Sequence, residues 1–200
     1  RSMATRGSLG GLAKKSKEVA DIFDASGFDL IIFETVGVGQ IELDVMNASD
    51  STIVILVPES GDDIQMMKSG LMEIADLFII NKSDREGTNR LFTSLSQVLT
   101  LQNRPSDWIP SIIKTSATKN IGIKELQNQI NKHYIYMKKN GLLLKKQNYR
   151  YSHLTQQLIS EKHKTEFWDN KKNKVLESQL SQSVSTRKSP YQLSEELYRK

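Results

Sequence analysis

The 200-residue chain contains no cysteine. That absence excludes disulfide bonds, thiolate zinc sites and cysteine nucleophiles. The chain also lacks any apolar run near the roughly 18 residues that a membrane-spanning helix needs, so we expect no membrane partner. What remains is 38% hydrophobic and 26% charged residues. That balance suits one domain with a real core, with or without a polar appendage.

Positive charge is scarce in the first part of the chain and concentrated in the last. Residues 1–125 hold 13 Lys and Arg against 17 Asp and Glu, a net charge of −4, whereas residues 126–200 hold 15 against 6, a net charge of +9. The tail lysines often occur in pairs, such as Lys145-Lys146, without a recognised nucleic-acid motif. We therefore favour a solvated helical surface over a nucleic-acid partner.

Four short apolar runs alternate with helical patterns. The runs cover residues 30–33, 52–57, 77–80 and 111–115. The first of them, with Phe28 just before it, is typical of a strand buried on both faces. Strands that alternate with helices predict an α/β fold with a doubly wound, mostly parallel sheet.

Strand patterns disappear after Asn140-Gly141. The remaining chain predicts helices at about 147–160 and 165–182 and a last one that Ser189-Pro190 opens. Its apolar residues are too few for an independent core. We therefore predict a main domain over residues 1–140 and an all-helical arm over residues 141–200, which packs on that domain or on a second copy of it.

An acid and a glycine loop follow the first apolar run. Glu34 comes at the predicted carboxyl end of that strand, where open α/β sheets bind ligands, and Gly37, Gly39 and Gln40 follow. A strand-end carboxylate beside a glycine loop suits a nucleotide phosphate with Mg²⁺. On this stretch alone, an ordinary turn after a buried strand explains the pattern equally well.

The sequence Asn81-Lys82-Ser83-Asp84 directly follows the third apolar run. The Asp84 carboxylate can accept hydrogen bonds from the N1–H and the exocyclic amine of guanine, whereas adenine presents the wrong pattern. Lys82 supplies an aliphatic stem that can stack on the base, and Asn81 can tie neighbouring loops together. At the next strand end, the backbone N–H groups around Ser116-Ala117 can reach the guanine oxygen. This spacing predicts guanine-nucleotide binding.

Several further segments occur in the order known from one family. Gly7–Ala13, Gly27–Asp29, Glu34–Gln40, Gly61–Gln65 and Asn81–Asp84 resemble the MeaB/ArgK/MMAA family of SIMIBI-class GTPase chaperones. The resemblance runs from residue 1 to about residue 140, and the tail is similar more loosely. It implies a P-loop NTPase fold that binds GTP or GDP with Mg²⁺. It also implies a partner, an adenosylcobalamin-dependent mutase, usually methylmalonyl-CoA mutase, whose cofactor loading the GTPase gates and which it protects.

The resemblance also implies roles for individual residues. Glu34 would lie near Mg²⁺, acting through water, and near the attacking water, and Gly37–Gln40 would sense the γ-phosphate. Lys68 could offer charge to the phosphates. The helical arm corresponds to the family's dimerisation arm, which implies a homodimer. The loop that contacts the mutase in this family corresponds to Gly61, Asp62, Asp63 and Gln65.

One departure from the family is large. The phosphate-binding loop Gly-x-x-x-x-Gly-Lys-Ser/Thr, which precedes this region in the family, occurs nowhere in residues 1–200. We therefore predict a fold that lacks its first strand and phosphate loop, and a 200-residue piece that binds GTP very weakly without hydrolysing it. Smaller departures are Ile41, where the family usually has serine, and Glu59, where it often has glycine.

Two other functions stay open. The chain could be a non-hydrolysing interaction module, or it could belong to a related metal-insertion GTPase, which the lack of cysteine disfavours. For the compartment, the expectation is a bacterial cytoplasm, or a mitochondrial matrix if the source is eukaryotic.

Overall fold

The computed structural model describes residues 15–35, 47–58, 71–101 and 107–199. Three strands and seven α-helices are assigned within these ranges. A one-turn 3₁₀ helix, Ala117–Lys119, follows the last strand. In chain order the elements are α1 (Ser16–Ala25), β1 (Ile53–Leu56), α2 (Leu71–Ile74), β2 (Leu77–Ile80), α3 (Thr88–Leu101), β3 (Ser111–Lys114), α4 (Ile123–Lys139), α5 (Leu142–Phe167), α6 (Asn170–Leu180) and α7 (Pro190–Arg199).

The three strands form one parallel sheet in the order β1-β2-β3. Ile53 is in register with Leu77, which is in turn in register with Ser111. Helix α3 connects β2 to β3 and contacts both strands, and α4 contacts β3. The predicted α/β class is confirmed: the described residues form a parallel sheet with flanking helices, followed by a helical C-terminal region.

The core lies around the central strand. All four residues of β2 are buried, because β2 has a strand on either side and packs on both faces. Phe78 is fully buried and belongs to a core cluster with Leu56 and with Leu91 and Leu95 of α3. The uninterrupted apolar run of β2 is therefore the pattern of a strand buried on both faces.

The buried strand that we predicted at residues 30–33 is wrong. The structure assigns no strand to residues 28–35. The side chains of Phe28, Leu30 and Ile32 are 58%, 68% and 78% exposed. The physical reason is pairing: among the described residues β1 has a partner only in β2, and no described strand pairs with residues 28–35. An apolar run without a hydrogen-bonding partner cannot form a ladder.

The chain divides into two compact units, Arg1–Gln147 and Asn148–Lys200. The predicted boundary at residue 140 stays a prediction. In the second unit, the continuous helix expected at 165–182 is instead interrupted, since α5 ends at Phe167 and α6 begins at Asn170. The Asp169 side chain accepts a 2.7 Å hydrogen bond from the Lys172 N–H and so caps α6.

None of the helices in the described ranges combines the length and the apolar character that crossing a bilayer requires.

Candidate functional site

Two loops meet at the carboxyl ends of β2 and β3. The Asn81 N–H donates to the Leu56 carbonyl at 2.8 Å, and the Thr115 N–H donates to the Ile80 carbonyl at 2.9 Å. The Ser83 N–H in turn donates to the Thr115 carbonyl at 2.9 Å. The hydrogen-bond pattern of the sheet thus continues past the strand ends. It brings the loop after β2 against the loop after β3.

The Asn81 side chain joins the two loops. Its Oδ1 accepts hydrogen bonds from the Thr115 hydroxyl and from the Ala117 N–H, each at 3.2 Å. Thr115 and Ser116 are almost fully buried, so protein groups rather than water surround this part of the turn. Asn81 thereby fixes where the Ser116-Ala117 turn lies relative to Asp84.

The loop after β3 closes on itself before α4 begins. Ser116 and Ile121 exchange both backbone hydrogen bonds, at 3.0 and 3.1 Å, on either side of the 3₁₀ helix. Gly122 then adopts a φ of 76°, in the left-handed region that favours glycine. A Cβ atom at this position would lie 2.1 Å from the Lys114 carbonyl oxygen. The close approach of α4 to the end of β3 therefore depends on glycine.

The Asp84 carboxylate is the electrostatic centre of the site. Its Oδ1 accepts a 2.8 Å hydrogen bond from the Ser116 hydroxyl, and its Oδ2 lies 2.8 Å from the Lys119 ammonium. The hydrogen bond from Lys119, followed by that from Ser116, lowers the pKa of Asp84 from 3.8 to about 2. Asp84 is consequently an ionised, acceptor-only group at any pH near neutrality.

Lys82 lies between Asn81 and Asp84 with a φ of 55°, in the left-handed region that non-glycine residues rarely adopt. Its side chain is exposed. Backbone conformations of this kind cost energy and persist where the surrounding contacts enforce them. Here the contacts of Asn81 and Ser83 on either side of Lys82 enforce the turn.

The structure brings together only part of the predicted site. Asn81 accepts a hydrogen bond from Ala117 and Asp84 accepts one from Ser116, so these four residues lie together, with Lys82 in the same loop as Asn81 and Asp84. Glu34 is exposed in segment 28–35 and ends no strand. The other predicted residues lie outside the described ranges: Gly37, Gly39, Gln40, Gly61, Asp62, Asp63, Gln65 and Lys68.

Glu34 is not part of a metal-binding group among the described residues. Within residues 15–35, 47–58, 71–101 and 107–199, no three His, Asp or Glu side chains come together in a group that could hold a metal ion. The role of Glu34 toward Mg²⁺ therefore stays a prediction.

Sequence reasoning missed Lys119. The signal was its spacing, because a residue three positions after Ser116 returns to the same face in a 3₁₀ helix, which has 3.0 residues per turn. The side-chain contact from Ser116 to Asp84 was also missed, since the prediction considered only the backbone of that turn. Both contacts depend on the distance between two loops, which the sequence does not specify.

A second polar cluster lies at the amino ends of the strands. The Nδ1 of the buried His133 lies 2.7 Å from the Ser51 hydroxyl, and its Nε2 lies 3.4 Å from the Asp76 carboxylate. Asp76 also accepts hydrogen bonds at 2.8 Å from the Thr52 N–H and, through its carbonyl, from the Trp108 ring. This cluster ties α4 to the sheet.

The class of the protein follows from the sheet and its strand-end loops. A parallel α/β sheet with helices on its flanks is consistent with a P-loop NTPase-type domain. An Asn-Lys-Ser-Asp loop that contacts a Ser-Ala turn across neighbouring strand ends fits the recognition of a guanine base.

Comparison with known proteins establishes the family. The family model described as methylmalonyl Co-A mutase-associated GTPase MeaB matches residues 1–172, and the chain belongs to this family. The predicted resemblance to the MeaB/ArgK/MMAA family is thereby confirmed.

Three relatives illustrate the match. A protein of Pyrococcus abyssi named "Putative GTPase" is 44% identical over 163 residues, which are 80% of this chain and 50% of the relative. The mouse "Methylmalonic aciduria type A homolog, mitochondrial" is 33% identical over 165 residues, 80% of this chain and 40% of the relative. The GTPase ArgK of Escherichia coli is 35% identical over 136 residues, 65% of this chain and 40% of the relative. The chain therefore spans about half the length of the relatives that it matches.

Proposed function

We propose that the chain forms the base-recognition part of a GTPase that assists an adenosylcobalamin-dependent mutase. The observation that carries this proposal is the contact between the two strand-end loops. Asn81 positions the Ser116-Ala117 turn, and that turn holds the ionised Asp84 in place. Such a carboxylate can accept one hydrogen bond from the N1–H of guanine and one from its exocyclic amine.

Discrimination against adenine follows from the same geometry. Adenine has no hydrogen on N1 and no amine at position 2, so its binding would leave the Asp84 oxygens without donors. Desolvated acceptors without donors are costly, and sites of this kind reject the wrong ligand strongly. The exposed Lys82, held in the same loop, would cover one face of the base with its aliphatic stem.

The reaction and the partner belong to the proposal as well. The family description supports GTP hydrolysis and an association with methylmalonyl-CoA mutase. We assign Mg²⁺ and water activation to Glu34, γ-phosphate sensing to Gly37–Gln40 and mutase contact to Gly61–Gln65, with Lys68 near the phosphates. Homodimerisation through the helical arm, adenosylcobalamin loading and protection of the mutase complete the proposal.

The experiment that tests base recognition is Asp84→Asn in the protein expressed from its complete reading frame. An asparagine can accept from N1–H and donate to a carbonyl at position 2, which is the pattern of xanthine. We expect affinity for GTP to fall by roughly 10- to 100-fold, since bonds to a charged acceptor are lost, and affinity for xanthosine triphosphate to rise. Binding titrations with both nucleotides measure the ratio.

The matched control is Glu86→Gln, which removes an exposed carboxylate two residues further along the same loop. We expect it to leave the ratio unchanged. An unaltered preference for GTP over xanthosine triphosphate in Asp84→Asn would refute the assignment. GTP turnover by the same protein, with and without a cobalamin-dependent mutase, tests the assigned reaction and partner.

A further inference from the structure

Both oxygens of the Asp84 carboxylate are occupied by groups of the protein itself. The Ser116 hydroxyl donates to Oδ1 at 2.8 Å, and the Lys119 ammonium lies 2.8 Å from Oδ2. Guanine, bound as proposed above, brings two further donors to the same two oxygens. Each carboxylate oxygen has two lone pairs, so a guanine donor at either oxygen shares it with a group of the protein, and the present contacts compete with the base.

The two contacts differ in burial and in mobility. Ser116 is 1% exposed, and its backbone N–H and carbonyl are both bonded to Ile121. The Lys119 side chain is 56% exposed and carries its charge on a flexible four-carbon stem. Exposed ion pairs are weak because water screens them and because ordering the long side chain is costly. The Lys119 contact is therefore the one that an entering base displaces more easily.

The position of Lys119 results from the 3₁₀ helix Ala117–Lys119. Ser116 is the residue that precedes this helix, and its carbonyl accepts the Lys119 N–H at 3.1 Å. Residues three apart align on one face of a 3₁₀ helix. The turn therefore directs the Ser116 hydroxyl and the Lys119 ammonium to the same carboxylate.

We propose that Lys119 is a latch on the base site: its ammonium competes with guanine for Oδ2 of Asp84 and so lowers the affinity of the site for guanine nucleotides. This inference rests on the proposed function and names a residue that regulates that same site.

A second group of the proposed base site is also engaged by the protein itself. The Ala117 N–H, which was expected to reach the guanine oxygen, donates instead to the Asn81 side chain at 3.2 Å. The hydrogen bonds from Lys119 and from Ser116 lower the pKa of Asp84, so an entering base meets a carboxylate that is ionised and already hydrogen-bonded. A base that enters must exchange protein contacts for its own, and this exchange reduces the net gain of binding.

The test compares Lys119→Met with wild type, using guanosine as the probe in the protein expressed from its complete reading frame. Guanosine carries no phosphate, so the loss of a positive charge cannot weaken its binding through the phosphates. We expect Lys119→Met to bind guanosine about two- to fivefold more tightly in calorimetric titration, the range of an exposed ion pair. With GDP the gain should be smaller, because the ammonium also attracts the phosphates.

Two control variants accompany the test. Lys124→Met removes the same charge from an exposed position at the start of α4, and we expect it to bind guanosine like wild type. Lys119→Arg retains a cation opposite Asp84 and should bind guanosine as weakly as wild type does, in contrast to Lys119→Met. A second measurement needs no nucleotide: NMR titration of the Asp84 carboxyl should show its pKa rising toward 3.8 in Lys119→Met, whereas Lys124→Met should leave it near 2.

The outcomes separate the latch from the proposed function. If Lys119→Met binds guanosine equally or less tightly, or if its Asp84 pKa does not rise, the latch is overturned. In that case a guanosine preference that Asp84→Asn abolishes would leave base recognition intact. If wild type does not prefer guanosine to adenosine, the assignment of the base site fails, and the latch fails with it.

Discussion

Gly122 allows a sharp prediction, because it is the point where α4 approaches β3. The substitution is Gly122→Ala. It places a methyl group 2.1 Å from the Lys114 carbonyl oxygen, an atom of the strand backbone that cannot rotate away. It also forces alanine into a backbone conformation with a φ of 76°.

The two costs can be estimated separately. The left-handed conformation costs about 1–2 kcal/mol for a residue with a Cβ atom. Relieving the clash requires the backbone to shift by about 1 Å, and overpacking of this kind costs about 1–3 kcal/mol more. Gly141→Ala is the matched control, since its φ is 67° but nothing lies within 4 Å of the added Cβ. We therefore expect Gly122→Ala to lose about 2–5 kcal/mol of the free energy of unfolding, and Gly141→Ala only about 1–2 kcal/mol.

Urea unfolding provides the assay. In a Trp168→Phe background, Trp108 is the one tryptophan in the chain, and it lies in the unit of residues 1–147 that also contains both glycines. Its fluorescence should report this unit, since its ring donates to Asp76 and packs 4.8 Å from the His133 ring. Equal losses for the two glycine variants at unchanged urea dependence would refute the steric argument.

Two other predictions concern polar contacts. Ser51→Ala should lower the free energy of unfolding by about 1–3 kcal/mol, because it leaves the buried Nδ1 of His133 without its 2.7 Å partner. Ser26→Ala, which removes an exposed hydroxyl, should stay within about 0.5 kcal/mol in the same urea assay, and an equal loss for both would contradict the prediction. For Asp84, the folded pKa of about 2 lies below the ordinary 3.8, so its contacts stabilise the site fully above about pH 4 and are lost as the pH falls through 2. NMR titration of its carboxyl group checks this window, and a midpoint at or above 3.8 would contradict it.

The strands show which part of the fold could be predicted from the sequence. Residues 53–56, 77–80 and 111–114 form strands where apolar runs predicted them, because β-branched and aromatic residues between turn signals suit a buried sheet. Residues 28–33 carry an equally apolar pattern yet form no strand in the structure. An apolar run indicates that burial is favourable, but a strand also needs a neighbour that pairs with its backbone.

The candidate site divides in a similar way. Asn81, Asp84 and Ser116 were predicted because each lies within four residues of a strand end, and parallel strand ends lie at one edge of a sheet. Lys119 and His133 were not predicted as parts of these clusters. Lys119 ends the 3₁₀ turn after β3 and contacts Asp84 in the loop after β2. His133 contacts Ser51 although 82 positions separate them in the chain.

The sequence by itself determined the α/β class, the positions of three strands, the Asn81–Asp84 motif and the family, because all of these depend on local patterns and on short spacings. Only the tertiary structure decided which groups occupy the Asp84 carboxylate, which cluster joins α4 to the amino ends of the strands, and which apolar run remains unpaired. The physical reason is distance. Hydrogen bonds and ion pairs form within about 3 Å, and the loop conformations that bring groups so close are set by packing across the whole sheet.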